Sequence, residues 1–189
     1  MAKKPDSDYV AMEASRSIKY TEVFSPIIDG GKQVRRWTVE DLPDILTAEC
    51  CDGRKTLPDM IRCLTGMIYL SKRAANLFRK FNLGNAHFTP LRIVSNTDRN
   101  PIGECELLTS ELIEFVDLAR SSFVPLSQNP KDPLIVLYFT APPVVIHEKL
   151  NGLDFAQGME VRSVCSKALM KAITQEKLTN FNFTEVNVQ

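Results

Sequence analysis

Two stretches of the chain coincide when one is slid 95 residues along the other. Ser71-Lys72 falls on Ser166-Lys167, Leu83 on Leu178, Asn85 on Asn180, Phe88 on Phe183 and Thr89 on Thr184. No gap is needed between these matches. Each shared residue has a physical task. A serine hydroxyl at a helix start accepts one of the backbone N–H groups that the first turn leaves unpaired. The leucine anchors the far end of the helix, and the phenylalanine opens a return strand on its buried side. The pattern predicts a strand–helix–strand unit used twice, over residues 68–91 and 163–186. Two ordinary strand–helix units can also coincide at this level, and that alternative stays open. In either case the feature constrains a fold and not a reaction.

Around these units the chain reads as short strands and turns. Residues 1–17 are polar and charged and read as a flexible leader. Residues 18–24 and 33–39 suggest strands, joined by the turn Asp29-Gly30-Gly31-Lys32. Residues 42–56 carry Pro43, Cys50-Cys51 and Asp52-Gly53 and read as mostly irregular. Residues 58–64 suggest a short helix, because proline suits a first helical turn. Residues 67–70 form an apolar strand. Ala74, Leu77, Phe78 and Phe81 then recur at helical spacing, with Gly84 as the stop.

Residues 86–94 read as a strand, and Pro90 argues for an edge or a bulge. Residues 104–115 fit a strand over 104–109 or a helical stripe through Leu108, Leu112, Phe115, Val116 and Ala119. Residues 134–139 are the continuous apolar run expected of a central strand. A strand over 160–164, a helix over 167–176 and an alternating strand over 180–188 end the chain. The expected fold is α+β, with a mixed, largely antiparallel sheet in one domain over 18–189.

Composition narrows the function classes. Lysine plus arginine number 23 and aspartate plus glutamate number 23, so the formal net charge is 0. A general nucleic-acid binder draws its affinity from a basic excess, and none exists here. The two N-terminal lysines precede no apolar run, and the longest apolar stretch is broken by Thr140, Pro142 and Pro143. No secretory signal or membrane span is expected, and the expected location is the cytoplasm. In that compartment the five cysteines are expected to be reduced.

Catalytic signatures are missing from the sequence. His147-Glu148 lacks the second histidine of a zinc helix, because position 151 is Asn151. There is no Cys-x-x-Cys pair, no Gly-x-Ser-x-Gly, and no glycine-rich phosphate loop. No catalytic, metal or cofactor residue is assigned. Cys165 is the best nucleophile candidate, since it precedes a helix start where a thiolate is favoured. The competing reading is a small buried residue. Arg35, Arg36 and Trp37 form the most interaction-like triplet and are the candidate partner-binding residues, because arginine and tryptophan are enriched at binding hot spots.

One stretch carries a resemblance. It runs Ile68-Tyr69-Leu70-Ser71-Lys72-Arg73-Ala74-Ala75-Asn76-Leu77-Phe78-Arg79-Lys80-Phe81-Asn82-Leu83-Gly84 and on to Phe88-Thr89-Pro90-Leu91. This resembles a bacterial family of immunity proteins from polymorphic toxin systems, the eleventh immunity type, once catalogued as a domain of unknown function. Asp117 and Ser121 resemble the Asp-x-x-x-Ser stretch that follows a strand in that family, which implies that residues 104–115 are more strand than helix. The resemblance covers roughly residues 60–188 and implies no active site. It implies a non-catalytic module that binds a protein partner, a cognate toxin; the oligomeric state stays open between monomer and homodimer. Two other classes stay open: a cysteine-dependent enzyme centred on Cys165 or His147, and a ligand-binding or structural domain that pairs through a terminal strand edge.

Overall fold

Short strands whose side chains alternate between two apolar surroundings set the architecture. The computed structural model describes residues 8–15, 20, 22–24, 26–28, 32–33, 42, 44–50, 56–63, 66–127, 136–158 and 163–188. Tyr9–Ala14 (β1), Glu22–Val23 (β2), Ile27–Ile28 (β3), Lys32–Gln33 (β4), Leu46–Cys50 (β5), Met60–Cys63 (β6) and Ile68–Leu70 (β7) precede the helix Lys72–Phe78 (α1). Next come His87–Ser95 (β8), Pro101–Thr109 (β9), Leu112–Ile113 (β10), Phe123–Ser127 (β11), Val136–Phe139 (β12) and Val144–Val145 (β13). The single-turn helix His147–Leu150 (α2) leads to Phe155–Gly158 (β14) and Ser163–Ser166 (β15). Lys167–Gln175 (α3), Phe181–Glu185 (β16) and Asn187–Val188 (β17) follow. Few helices and many strands in mixed sheets make the fold α+β.

β2, β5, β8, β9, β7 and β6 close into a barrel in that order. Its interior holds Leu46, Ile61, Tyr69, Leu91, Ile93 and Leu107 among other buried side chains. Tyr69 buries a hydroxyl there, and a buried hydroxyl needs a partner. It donates to the Phe24 carbonyl at 3.1 Å.

A second set of pairs runs β10-β14-β15-β1-β16. The chain continues from β16 into β17, which pairs in parallel with β13. Val145 of β13 then bridges Val116, just past β10. The registers of the two sets agree at the offset of 95. Met60↔Leu70, Ile61↔Tyr69 and Arg62↔Ile68 in β6–β7 become Phe155↔Cys165, Ala156↔Val164 and Gln157↔Ser163 in β14–β15. Likewise Glu22↔Arg62 is matched by Leu112↔Gln157, both parallel. β1 stands to β15 and β16 as β9 stands to β7 and β8: Leu108 faces Ile68 and Phe88, and Met12 faces Ser163 and Phe183.

Strand alternation sends neighbours to different cores. Val10 and Met12 of β1 join α1, α3 and the outer face of the barrel, with Phe78, Leu108, Phe155, Cys165 and Leu169. Phe78 sits edge-on to Phe155 at 5.9 Å between centroids. Tyr9 and Ala11 point the other way, to Phe115, Phe139, Val145 and Leu150. Burying one such large apolar side chain is worth roughly 1.5–3 kcal/mol.

Several expectations are corrected. The leader over 1–17 holds β1, which lies between β15 and β16 with Tyr9–Met12 buried. Residues 42–56 hold β5, alternating buried and less buried positions against β8. Of the stretch 58–64, Met60–Cys63 form β6 and not a helix, because Met60 and Ile61 face two cores on opposite sides of a strand. Residues 104–115, left open between strand and helix, hold no helix, as the resemblance implied: β9 runs through Thr109, and Leu112–Ile113 form β10. The run at 134–139 supplies β12, which pairs only with β11 among the described residues and leaves Tyr138 exposed. Gly84 does not stop α1: the helix ends at Phe78 with Arg79 as its cap. In the stretch 33–39, only Gln33 is described, and it pairs with Ile27.

Candidate binding cleft

The cleft is built outward from the start of α1. Ser71 caps that helix, its hydroxyl accepting the Ala74 N–H at 3.1 Å. The same hydroxyl donates to Asp59 Oδ1 at 2.7 Å. Arg73 approaches the other oxygen, Nη2 to Oδ2 at 2.6 Å, with Nε to Oδ1 at 3.2 Å. Thr179, beyond α3, donates its N–H at 2.8 Å and its hydroxyl at 3.0 Å to Asp59 Oδ2. Burial pushes the Asp59 carboxyl up, but the hydrogen bonds from Arg73, Ser71 and Thr179 outweigh it and hold its pKa at about 2. Asp59 thereby ties α1 to the loop after α3.

α1 so fixed projects Lys72 and Arg79 over the outer face of β8 and β9. Lys72 Nζ meets Glu104 Oε2 at 2.8 Å. Their mutual attraction raises the lysine pKa and lowers that of the glutamate. Arg79 grips Glu106 with both terminal nitrogens and bonds Asn76 Oδ1 at 3.2 Å. Its guanidinium carbon also lies 4.2 Å from the Phe88 ring centroid, a cation–π contact. Arg92 stands opposite Glu104 in the β8–β9 ladder, yet among the described residues no carboxylate forms an ion pair with it. Ile45, which is 56% exposed, and Pro90 complete the apolar part of the lining. The space enclosed is about 390 Å³.

The charged side chains of the cleft are largely paired with one another. Both of its carboxylates are engaged by cations. The one thiol in the wall, Cys105, belongs to the barrel interior, and burial drives its pKa up. Cys165 is fully buried, and burial, then Asp154, pushes its thiol up to about 12. Its side chain packs with Val10 and Leu169. Exposed His147 instead touches Tyr9, at 5.6 Å between ring centroids, on the opposite face of the same sheet. A thiolate–imidazole pair from these two is therefore ruled out. His87 lies exposed at the start of β8. Among the described residues no group of three or more His, Cys, Asp or Glu could hold a metal ion.

Arg35, Arg36 and Trp37 lie outside the described residues. The sequence reading missed Lys72, Arg79, Arg92, Glu104 and Glu106 as a set. The β9 pairing that brings the glutamates to the helix was ambiguous in a segment that fitted strand and helix equally. Their one signal was charge on alternate residues of β9, Glu104 and Glu106.

The model of the Imm11 immunity protein family matches residues 8–188. The chain belongs to that family. The match begins within the expected leader, at the threshold of β1, and runs to the end of β17. No curated protein matches the chain. As an Imm11 member the chain has strands as its main framework, and among its described residues no helix is long and apolar enough to cross a membrane.

Proposed function

We propose that this chain is a non-catalytic immunity protein that neutralises a cognate bacterial toxin by binding it in the cytoplasm. The family match over residues 8–188 carries this reading. Two features support it: a preformed charged cleft with paired side chains, and thiols whose burial keeps them protonated. A rigid surface binds without paying to order itself. The partner is a protein, engaged by a monomer or homodimer. Arg35, Arg36 and Trp37 stay in the proposed contact surface on residue type alone.

Co-expression with the toxin encoded beside this chain tests the reading. Cells that carry both are expected to grow, and cells that carry the toxin alone to arrest. The two proteins are expected to co-purify in a fixed ratio. Arrest in both cultures, or protection without a complex, overturns the proposal.

A further inference from the structure

We propose that the cleft beside α1 is the toxin-contact surface and that it takes an acidic segment of the partner, with a carboxylate against Arg92 and an apolar side chain against Ile45 and Pro90. This rests on the immunity reading and names the surface and chemistry through which it works.

The cleft presents three cations, Lys72, Arg79 and Arg92, and two carboxylates, Glu104 and Glu106. Lys72 and Arg79 pair with the carboxylates, and among the described residues Arg92, which attracts Glu104 without forming an ion pair, is the cation in excess. An arginine is permanently charged and carries a planar fork that matches a carboxylate. Its natural complement is an anionic group on the partner. The apolar neighbour, Ile45, is among the most exposed large hydrophobic residues of those described. A patch of this kind, aliphatic beside arginine, suits a short acidic segment with an apolar anchor.

Arg79 is held by Glu106, by Asn76 and by the Phe88 ring, so little side-chain entropy is lost when a partner covers it.

The scaffold does not need Arg79, Arg92 or Glu106 to form. The matching strand pairs around α3 are built with Thr174 where Arg79 caps α1, and Asn187 where β8 has Arg92. Val10 takes the place of Glu106 in the ladder, facing Cys165 as Glu106 faces Leu70. The same backbone wiring forms without Arg79, Arg92 and Glu106, whereas Lys72 keeps a lysine counterpart in Lys167, so those three charges answer to something outside the fold.

The experiment uses the full chain and the toxin encoded beside it, inactivated at its catalytic residue, with affinity measured by calorimetry. Arg92→Glu and Ile45→Asp are each expected to weaken binding by at least about tenfold, with circular dichroism unchanged. Val124→Asp, on exposed β11, is expected to leave affinity as it was. Hydrogen exchange of the wild-type complex is expected to show protection in β8, β9 and α1. If wild type binds but both cleft variants bind equally well, or protection falls instead on β11 and β12, the cleft assignment is overturned while the immunity reading stands. If wild type does not bind at all, the immunity reading fails and takes the cleft with it.

Discussion

The Ser71 hydroxyl both caps α1 and donates to Asp59, at 2.7 Å. Ser166 repeats the arrangement at α3, donating to Asp154 Oδ1 at 2.6 Å while accepting the Leu169 N–H at 3.1 Å. Each aspartate lies twelve residues before its serine, and each reaches across to the other unit: Asp59 accepts from Thr179 N–H and Asp154 from Asn82 N–H, at 3.0 Å in the second case. The two carboxylates therefore hold both helix starts and both helix-following loops in one reciprocal frame.

Removing Asp59 should be costly, because it leaves the hydroxyls of Ser71 and Thr179 and the Thr179 N–H without their acceptor. Asp59→Ala is expected to lower unfolding stability by roughly 3 kcal/mol, and Ser71→Ala by about 1 kcal/mol, the usual value of a helix cap. Urea denaturation followed by circular dichroism reads both. The double variant should lose less than the sum, since the two groups share one bond. Strict additivity would show that the Asp59–Ser71 contact contributes nothing.

Acid should dismantle the same frame. The Asp59 pKa is about 2 in the folded chain, below the ordinary carboxylate value of roughly 3.9 in the unfolded one. Its contribution is therefore full above about pH 4 and is lost as pH falls towards about 2. The urea midpoint of wild type is expected to drop through that window. Asp59→Asn, already weaker at neutral pH, should show a shallower drop. Parallel curves for the two proteins would assign the acid sensitivity to other carboxylates.

Much of the frame was legible in the sequence, and the reason is local. Ser71 and Ser166 announce helix starts through residue type and the apolar spacing that follows. The strand β7 and the helix α1 needed no distant information. What stayed hidden depends on partners far along the chain. β1 looked like part of a charged leader, because six residues of strand carry little signal until β15 and β16 enclose them. β6 looked helical because Pro58 suits a helix start, whereas the barrel closes through Met60–Cys63. Asp59 drew no notice among so many acidic residues, although the offset that matched the serines also places Asp154 on Asp59. The cleft was illegible for the same reason, since its charges meet only after β8 and β9 pair beneath α1.

Gly84 offers a test of a tight approach. Its φ of +59° lies in the left-handed region, and a Cβ there would stand 3.1 Å from Leu153 Cδ2. Gly84→Ala is expected to cost about 1 kcal/mol or more through the backbone alone, with a contribution from the displaced leucine. The thermal midpoint should fall while the circular dichroism spectrum at low temperature keeps its shape. An unchanged midpoint would mean that this turn relaxes freely into another conformation.

The cysteines give the sharpest separation between a binding scaffold and a thiol enzyme. Cys50, Cys63, Cys105 and Cys165 are all buried, and only thiolate attacks an alkylating reagent. With the Cys165 thiol held up at about 12, on the order of one part in 10⁴ is ionised at about pH 8. Burial restricts access as well. Iodoacetamide labelling of the native chain, read site by site by mass spectrometry, should therefore reach Cys105 and Cys165 only at the rate of unfolding. In denaturant all five cysteines should label within the ordinary time. Rapid native labelling of Cys165 would place an activating base beside it and return the cysteine-dependent enzyme to contention.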